Sequence, residues 1–143
     1  MNPAELHPPA VSSFLQAFGD AETAVKVLVI DDDKGVLESV RDMLACYDCA
    51  VECAESAQKG IKMAETGEYE LVLVDYKMPE NDGIWFMQNV DLPRGTKTLL
   101  MTAFVNREVI NKMFSYGASG YIVKPFDGKE LLRHVKFHLT REF

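Results

Sequence analysis

The sequence predicts a doubly wound α/β fold with five parallel strands in one sheet. Three observations support this prediction. Short runs of branched apolar residues recur along the chain, and such runs are typical of strands buried on both faces. Segments with helical spacing of apolar residues alternate with these runs. This alternation with short connections predicts a parallel sheet with right-handed crossovers and with helices on both faces.

The first half of the domain is predicted to contain three strands and two helices. Residues 27–30 are a branched apolar run and predict the first strand. Apolar residues at helical spacing predict a helix over residues 34–46, and residues 50–54 predict the second strand. Ser56 can cap the next helix at its N-terminus, and residues 71–74 predict a third buried strand.

The second half repeats the alternation. A helix over residues 82–89 is followed by a fourth strand over residues 98–101. Asn106 can cap the next helix, and residues 121–123 predict the fifth strand. A last helix over residues 127–141 begins at an aspartate that can cap it, with a glutamate three residues later.

Length and charge exclude several classes of protein. The chain has 143 residues, the length of one domain. It has 22 acidic and 15 basic residues and a net charge of −7, so direct binding to the phosphate backbone of a nucleic acid is disfavoured. No apolar run approaches the roughly 18 residues of a membrane span. No secretory signal is recognisable either. Membrane insertion is therefore not expected, and a cytoplasmic location with reduced thiols is expected.

Residues 1–24 are predicted to be an N-terminal extension of a domain formed by residues 25–143. A short amphipathic helix is predicted there from apolar residues at positions i, i+3, i+4 and i+7, namely Val11, Phe14, Leu15 and Phe18. Two interpretations remain open. The favoured one is a local cap or a disordered tail, and the other is a docking or dimerisation segment.

The ends of the predicted strands carry the residues that suggest chemistry. They are Asp31, Asp32 and Asp33, then Asp75, Thr102 and Lys124. In an open parallel sheet, ligands bind outside the carboxyl ends of the strands. Carboxylates that converge there stay ionised only beside a compensating cation, and a set of oxygen ligands without His or Cys favours Mg²⁺, with Mn²⁺ as the alternative. A lysine, a hydroxyl and a nucleophilic carboxylate at one edge suggest phosphoryl transfer through an aspartyl phosphate.

Five motifs in this order resemble the receiver domain of two-component response regulators, in the manner of the chemotaxis regulators. They are the segments around Asp31–Asp33, Asp75–Pro79, Asp82–Gly83, Thr102–Ala103 and Gly120–Phe126. The resemblance covers about residues 25–141 and implies a flavodoxin-like (βα)5 fold. The stretch from Gly83 to Thr102 looks short for the family, which leaves the length of the third helix open.

The resemblance implies a role for each matching residue. Asp75 is the expected phosphoacceptor, and Asp31, Asp32 and the backbone carbonyl of Lys77 are expected to bind Mg²⁺. Contacts to the phosphoryl group are expected from Lys124 and Thr102, and switching from Thr102 and Tyr121. A cis peptide bond between Lys124 and Pro125 is also expected on this ground.

Two positions are predicted to tune the lifetime of the phosphorylated state. Lys77 and Phe104 each lie two residues beyond a site residue, on the open side from which water would attack. A bulky apolar ring and a long cationic side chain there are expected to slow hydrolysis. The alternative for Phe104 is simple packing on the fourth helix.

The leading functional hypothesis is a binding and switching module. A sensor histidine kinase or a histidine phosphotransfer protein is the expected donor, and the face of the fourth helix, fifth strand and fifth helix is expected to bind a downstream protein. If the chain is complete, it acts on a protein partner and not on DNA; a fragment of a larger regulator is the alternative. The rival from another class is a Mg²⁺-dependent phosphatase, but such enzymes use a second acid two residues after the nucleophile, where Lys77 stands.

Other candidate groups are interpreted as structural. Cys46 and Cys49 are spaced like a redox pair but follow a helix, whereas reactive pairs precede one. His134 and His138 are four residues apart on the last predicted helix, and a solvated helix face is the favoured interpretation.

Overall fold

A computed structural model describes residues 24–45 and 47–139. Its one sheet has five parallel strands in the order β2-β1-β3-β4-β5. In chain order the elements are β1 (Val25–Ile30), α1 (Lys34–Ala45), β2 (Cys49–Ala54), α2 (Ala57–Thr66), β3 (Leu71–Asp75), α3 (Gly83–Asn89), β4 (Lys97–Thr102), α4 (Arg107–Ser115), β5 (Gly120–Val123) and α5 (Gly128–Leu139). This is the predicted flavodoxin-like (βα)5 fold.

The sheet separates two hydrophobic cores. Alternate residues of a strand point to opposite faces, and in β1 Val27 and Val29 enter one core while Leu28 and Ile30 enter the other. The first core is closed by apolar side chains of α1 and α5. The second is closed by those of α2, α3 and α4. Both faces of the sheet are therefore covered at its centre, which explains why β1 and β3 are nearly continuous apolar runs and not alternating ones.

Side-chain caps fix where four of the helices begin. The side chains of Ser56, Asp82, Asn106 and Asp127 each accept a hydrogen bond from the backbone N–H three residues ahead, at 2.9 to 3.2 Å. Each cap satisfies a backbone donor that the first helical turn leaves free. The predicted helix starts are confirmed to within one or two residues.

The third helix is short. In the segment that connects β3 to β4, α3 spans only Gly83–Asn89, between the loop that follows β3 and the loop that leads to β4. Phe86 is fully buried in the second core, and Trp85 packs against its edge. The length that the sequence left open is therefore settled at two turns.

Two predictions extend beyond the described residues. The predicted amphipathic helix in the N-terminal extension lies outside them. The last helix was expected to run to about residue 141 and is described as far as Leu139. Among residues 24–45 and 47–139, no helix has the length and apolar character that a membrane span requires.

Candidate functional site

Three carboxylates converge at the carboxyl edge of the sheet. Asp31 follows β1, Asp32 is the next residue, and Asp75 ends β3, the neighbouring strand. One ligand oxygen from each lies within 4.8 Å of the others. Asp31 and Asp75 are buried and Asp32 is exposed, so the cluster has an inner wall and one side that faces solvent.

The cluster fits a hard divalent cation. Its donors are carboxylate oxygens, the ligands that Mg²⁺ prefers, and the exposed side leaves room for the waters that Mg²⁺ retains. No other group of three or more His, Cys, Asp or Glu side chains converges in the described part of the chain. The acids and the nearby Lys124 together carry a formal charge of −2, which a divalent ion would neutralise.

Lys124 bridges the two buried carboxylates. Its Nζ lies 2.8 Å from Oδ2 of Asp31 and 3.1 Å from Oδ1 of Asp75. Burial alone would lower the pKa of Lys124, but its hydrogen bonds and charge interactions with these two acids raise that pKa above its usual value. The ammonium is thus held charged between the two strand ends. The peptide bond between Lys124 and Pro125 is cis, as expected.

Asp31 is held in place by its own loop. Its Oδ1 accepts a hydrogen bond from the backbone N–H of Asp33 at 2.9 Å, while Oδ2 accepts from Lys124. The backbone N–H of Asp31 donates to the carbonyl of Ala54 at 3.1 Å. The orientation of this carboxylate is therefore fixed by the backbone N–H of Asp33 and by the Lys124 ammonium before any ligand binds.

Asp75 is a buried acid whose pKa is raised. Burial raises its pKa from 3.8 to about 6; the charge of Asp31 adds to that rise, and Lys124 opposes it. Gly83, at the start of α3, lies against this residue: a Cβ at Gly83 would sit 2.6 Å from the backbone carbonyl oxygen of Asp75. The absence of a side chain there allows α3 to start directly beside the end of β3.

Thr102 ends β4, beside β3, and its hydroxyl engages its own loop. The Thr102 Oγ1 accepts a hydrogen bond from the backbone N–H of Phe104 at 2.8 Å. It also lies 3.1 Å from the carbonyl oxygen of Phe104. Any contact between this hydroxyl and a group bound at Asp75 would therefore compete with the bonds that hold the β4–α4 loop.

A family model of the response regulator receiver domain matches residues 27–136. This chain belongs to the response regulator receiver domain family. The resemblance in the motifs is thereby confirmed, and the domain is a receiver of two-component signal transduction, a family in which phosphorylation and Mg²⁺ binding are typical.

Known proteins similar to this receiver domain include longer regulators. The transcriptional regulatory protein ResD of Bacillus subtilis is 32% identical over 124 residues, which are 85% of this chain and 51% of ResD. PdtaR of Mycobacterium tuberculosis, also named a transcriptional regulatory protein, is 29% identical over 126 residues, 85% of this chain and 61% of that protein. This receiver domain thus spans about half the length of the curated relatives it matches.

Solved structures share the fold over nearly the whole described chain. Chemotaxis protein CheY4 of Vibrio cholerae superposes with a TM-score of 0.77 at 26% identity, covering 82% of this chain and all of CheY4. A CheY-like receiver domain protein from Methanospirillum hungatei has a TM-score of 0.76 at 28% identity, covering 80% of this chain and 93% of that one. These matches support the fold class derived from the sequence.

The two predicted tuning residues of this receiver domain touch each other. The Nζ of Lys77 lies 5.1 Å from the ring centroid of Phe104, a cation–π contact between the loops that follow β3 and β4. Phe104 is 52% exposed, so its ring stands at the surface. The sequence places both residues near the site but carries no signal for this contact, because it depends on side-chain rotamers in two loops.

Tyr121 lies on β5 and is half-buried. Its ring packs edge-on against that of Phe114 on α4, with centroids 6.4 Å apart, and contacts the second core. The histidines at positions 134 and 138 lie on α5 at the border of a groove beside this strand, and burial lowers the pKa of each. They join no three-ligand cluster among the described residues.

Cys49 is half-buried in β2, and Cys46 lies outside the described residues.

Asp75→Asn is expected to stabilise the metal-free receiver domain at neutral pH. The pKa of Asp75 is about 6 in the folded state against 3.8 as its ordinary value, so the native state binds more protons than the unfolded state between these values. The free energy of unfolding of the wild type should therefore fall as pH rises from 4 to 7, by up to roughly 3 kcal/mol from this group. The variant lacks this decline, and urea unfolding in EDTA at several pH values measures it.

The matched control is Asp33→Asn. It also removes one negative charge from the same edge of the sheet, and asparagine can replace aspartate as the acceptor for the N–H of Gly35. A decline of the same size in the wild type and in Asp75→Asn would contradict the assignment of the shifted pKa to Asp75.

Proposed function

We propose that Asp75 accepts a phosphoryl group from a phosphohistidine of a sensor kinase or a histidine phosphotransfer protein. The observation that carries the proposal is the position of the Lys124 ammonium between Asp31 and Asp75, at the carboxylate cluster. An aspartate at the end of a central strand, with fixed cationic and oxygen groups around it, has the surroundings that phosphoryl transfer requires.

In the proposed reaction an oxygen of the Asp75 carboxylate attacks the phosphorus of the phosphohistidine. A phosphorus–oxygen bond forms as the phosphorus–nitrogen bond breaks, and the electron pair returns to the imidazole of the donor, which takes up a proton. Lys124 stays close to the reacting oxygens and stabilises their charge, and the hydroxyl of Thr102 can donate to a phosphoryl oxygen once it leaves Phe104.

Asp31, Asp32 and the backbone carbonyl of Lys77 are proposed to hold Mg²⁺, with Mn²⁺ as the alternative. Bound there, the ion would supply positive charge to the phosphoryl oxygens. Asp31 is oriented for this task by Asp33 and Lys124, and Asp32 is exposed to the side from which the phosphodonor would approach.

The signalling output is proposed to pass through Thr102 and Tyr121. If Thr102 turns to the phosphoryl group, the β4–α4 loop loses its bonds to this hydroxyl, and the packing of Tyr121 on α4 can change with it. A downstream protein is proposed to bind the face formed by α4, β5 and α5, and phosphorylation would shift the population of that face. The cytoplasmic location remains a prediction.

Acetyl phosphate separates the proposed receiver from the rival phosphatase. The wild-type chain with Mg²⁺ is expected to gain one phosphoryl group, seen as a single mass increment of the intact protein, and to gain none in EDTA. It is expected to release no phosphate continuously from p-nitrophenyl phosphate, since Lys77 stands where such an enzyme needs a second acid. Sustained turnover of that substrate without a stable adduct would favour the phosphatase instead.

Phe104→Ala and Lys77→Ala are each expected to speed loss of the phosphoryl group. The two side chains contact each other beside the site and would limit the approach of a water to the phosphorus. A tenfold change in lifetime corresponds to about 1.4 kcal/mol in the barrier, and an acceleration of about threefold to tenfold is expected for each variant. The decay of the phosphorylated mass in Mg²⁺ measures it.

Val105→Ala is the control for this prediction. Val105 is an exposed apolar residue of the same loop. The phosphorylated variant should lose its phosphoryl group at the wild-type rate. Unchanged decay in both Phe104→Ala and Lys77→Ala would show that these side chains do not limit access of water, while leaving the role of Asp75 intact.

A further inference from the structure

The exposed apolar side chains of the described residues are concentrated on one side of the molecule. All six large ones lie in the β4–α4 loop, in α4 or directly after it, in β5 or in α5: Phe104, Val105, Phe114, Tyr116, Val123 and Phe137. Phe137 is 76% exposed and Phe114 is 47% exposed. A concentration of apolar surface of this kind marks a binding surface.

The centre of this surface is an open groove of about 560 Å³ between α4, β5 and α5. We call it the edge groove, because β5 is the outermost strand of the sheet. Its apolar lining includes Phe114, Tyr121, Val123 and Phe137. Polar and charged side chains also line it, among them Glu130, Arg133, His134 and His138. These apolar side chains are suited to pack against the apolar face of a short amphipathic helix.

We propose that the N-terminal extension of the same chain occupies the edge groove. Its predicted helix presents an apolar stripe formed by Val11, Phe14, Leu15 and Phe18. The stripe includes two aromatic residues, and the groove offers two phenylalanines and a tyrosine as packing partners. A helix of eight residues is too short to be stable alone in water, so burial of its apolar face against the domain is what would hold it.

The strand register sets the distance that the extension must cross. Val27 lies level with Lys97, and Leu99 lies level with Gly120, so Val25 lies four residues before the level of Gly120. This offset is about 13 Å along the strands. Since β1 and β5 are three strand spacings apart, the lateral distance is about 14 Å, and the separation from Val25 to Gly120 is roughly 20 Å.

The chain is long enough to cover this distance. Seven Cα–Cα steps join Phe18 to Val25, and in extended form they span up to about 23–25 Å. Gly120 lies at the end of the groove that is nearest the start of β1. The stripe can therefore reach the groove of its own domain without any rearrangement of the described fold.

The acids of the N-terminal extension also match basic residues near one end of the edge groove. Residues 1–24 contain no Lys or Arg and carry three acids, Glu5, Asp20 and Glu22. At the end of the groove near Gly120, Lys97 lies close enough to His138 to influence its titration, and Arg133 borders the groove against one acid, Glu130. Asp20 and Glu22 belong to the connecting residues that would pass Lys97 at this end of the groove.

An extension that occupies the edge groove would also affect partner binding, a consequence that rests on the proposed function. If the face formed by α4, β5 and α5 binds the downstream protein, the extension competes with that partner for the edge groove. The receiver domain would then carry its own competitor, and the partner would have to displace it.

Hydroxyl-radical footprinting of the full-length, unphosphorylated chain tests the proposal. The oxidation rate of Phe137 is measured relative to that of Phe104, which is exposed but outside the groove. In the variant Phe14→Glu with Leu15→Glu, the rate for Phe137 is expected to rise at least about threefold over the wild type. The matched control, Ser13→Glu with Gln16→Glu, adds the same charge on the opposite side of the predicted helix and is expected to remain at the wild-type rate.

Three results would overturn the proposal. Equal high rates in all three proteins would mean that nothing covers Phe137. Equal low rates would mean that another surface covers it, and protection lost on hundredfold dilution would identify a second copy as the occupant. Because the footprint is read without phosphorylation, its result does not depend on whether Asp75 is the acceptor.

Discussion

Asp75→Asn is expected to abolish phosphoryl labelling of the domain by acetyl phosphate. The amide oxygen of asparagine is a poor nucleophile, and the other carboxylates of the cluster differ in their position. Asp31 is fully buried, with its oxygens engaged by Asp33 and Lys124, and Asp32 is proposed to hold the metal. Labelling should drop below detection in intact-mass measurements made with excess acetyl phosphate and Mg²⁺.

Asp33→Asn serves as the matched control for this loss. It removes a carboxylate from the same edge while keeping the acceptor for Gly35, so it should label like the wild type. Circular dichroism on both variants separates a loss of chemistry from a loss of fold. Full labelling of a folded Asp75→Asn protein would mean that another residue is the acceptor.

Mg²⁺ is expected to raise the melting temperature of the wild type and to have no effect on Asp32→Asn. Three carboxylates within 4.8 Å repel one another when no cation is bound, and an ion that binds only the native state stabilises it by mass action. At a concentration near one hundred times the dissociation constant, the gain is about 2.7 kcal/mol, or roughly 5–10 °C for a domain of this size.

The metal-free variant should also melt above the metal-free wild type, because one of the repelling charges is gone. Asp33→Asn is again the control and should respond to Mg²⁺ as the wild type does, since its carboxylate lies outside the cluster. An equal Mg²⁺ shift in the wild type and in Asp32→Asn would place the metal elsewhere.

The fold could be predicted because its signals are local. The apolar runs of β1 and β3 are buried on both faces, and Ser56 and Asn106 cap the helices that they were expected to cap. The location of the site residues at one edge of the sheet could also be predicted, because the carboxyl ends of parallel strands meet there. What could not be predicted was how close the groups come.

The distances depend on packing between elements that are far apart in sequence. No sequence pattern reports that one ammonium reaches both Asp31 and Asp75, which depends on how the ends of β1, β3 and β5 are placed relative to one another. The close approach of α2 to β1 is similar: a Cβ at Gly60 would sit 2.4 Å from an atom of Ile30, and only the folded structure shows it. The contact between Lys77 and Phe104 is a third case, set by two loops.

The chemical position of the phosphoryl group tests the central claim most directly. After acetyl phosphate and Mg²⁺, borohydride reduction converts an aspartyl phosphate into homoserine, which peptide mass spectrometry locates to a single residue. Homoserine is expected at Asp75, and at no other aspartate of the chain. Homoserine at Asp31 or Asp32 with none at Asp75 would contradict the claim.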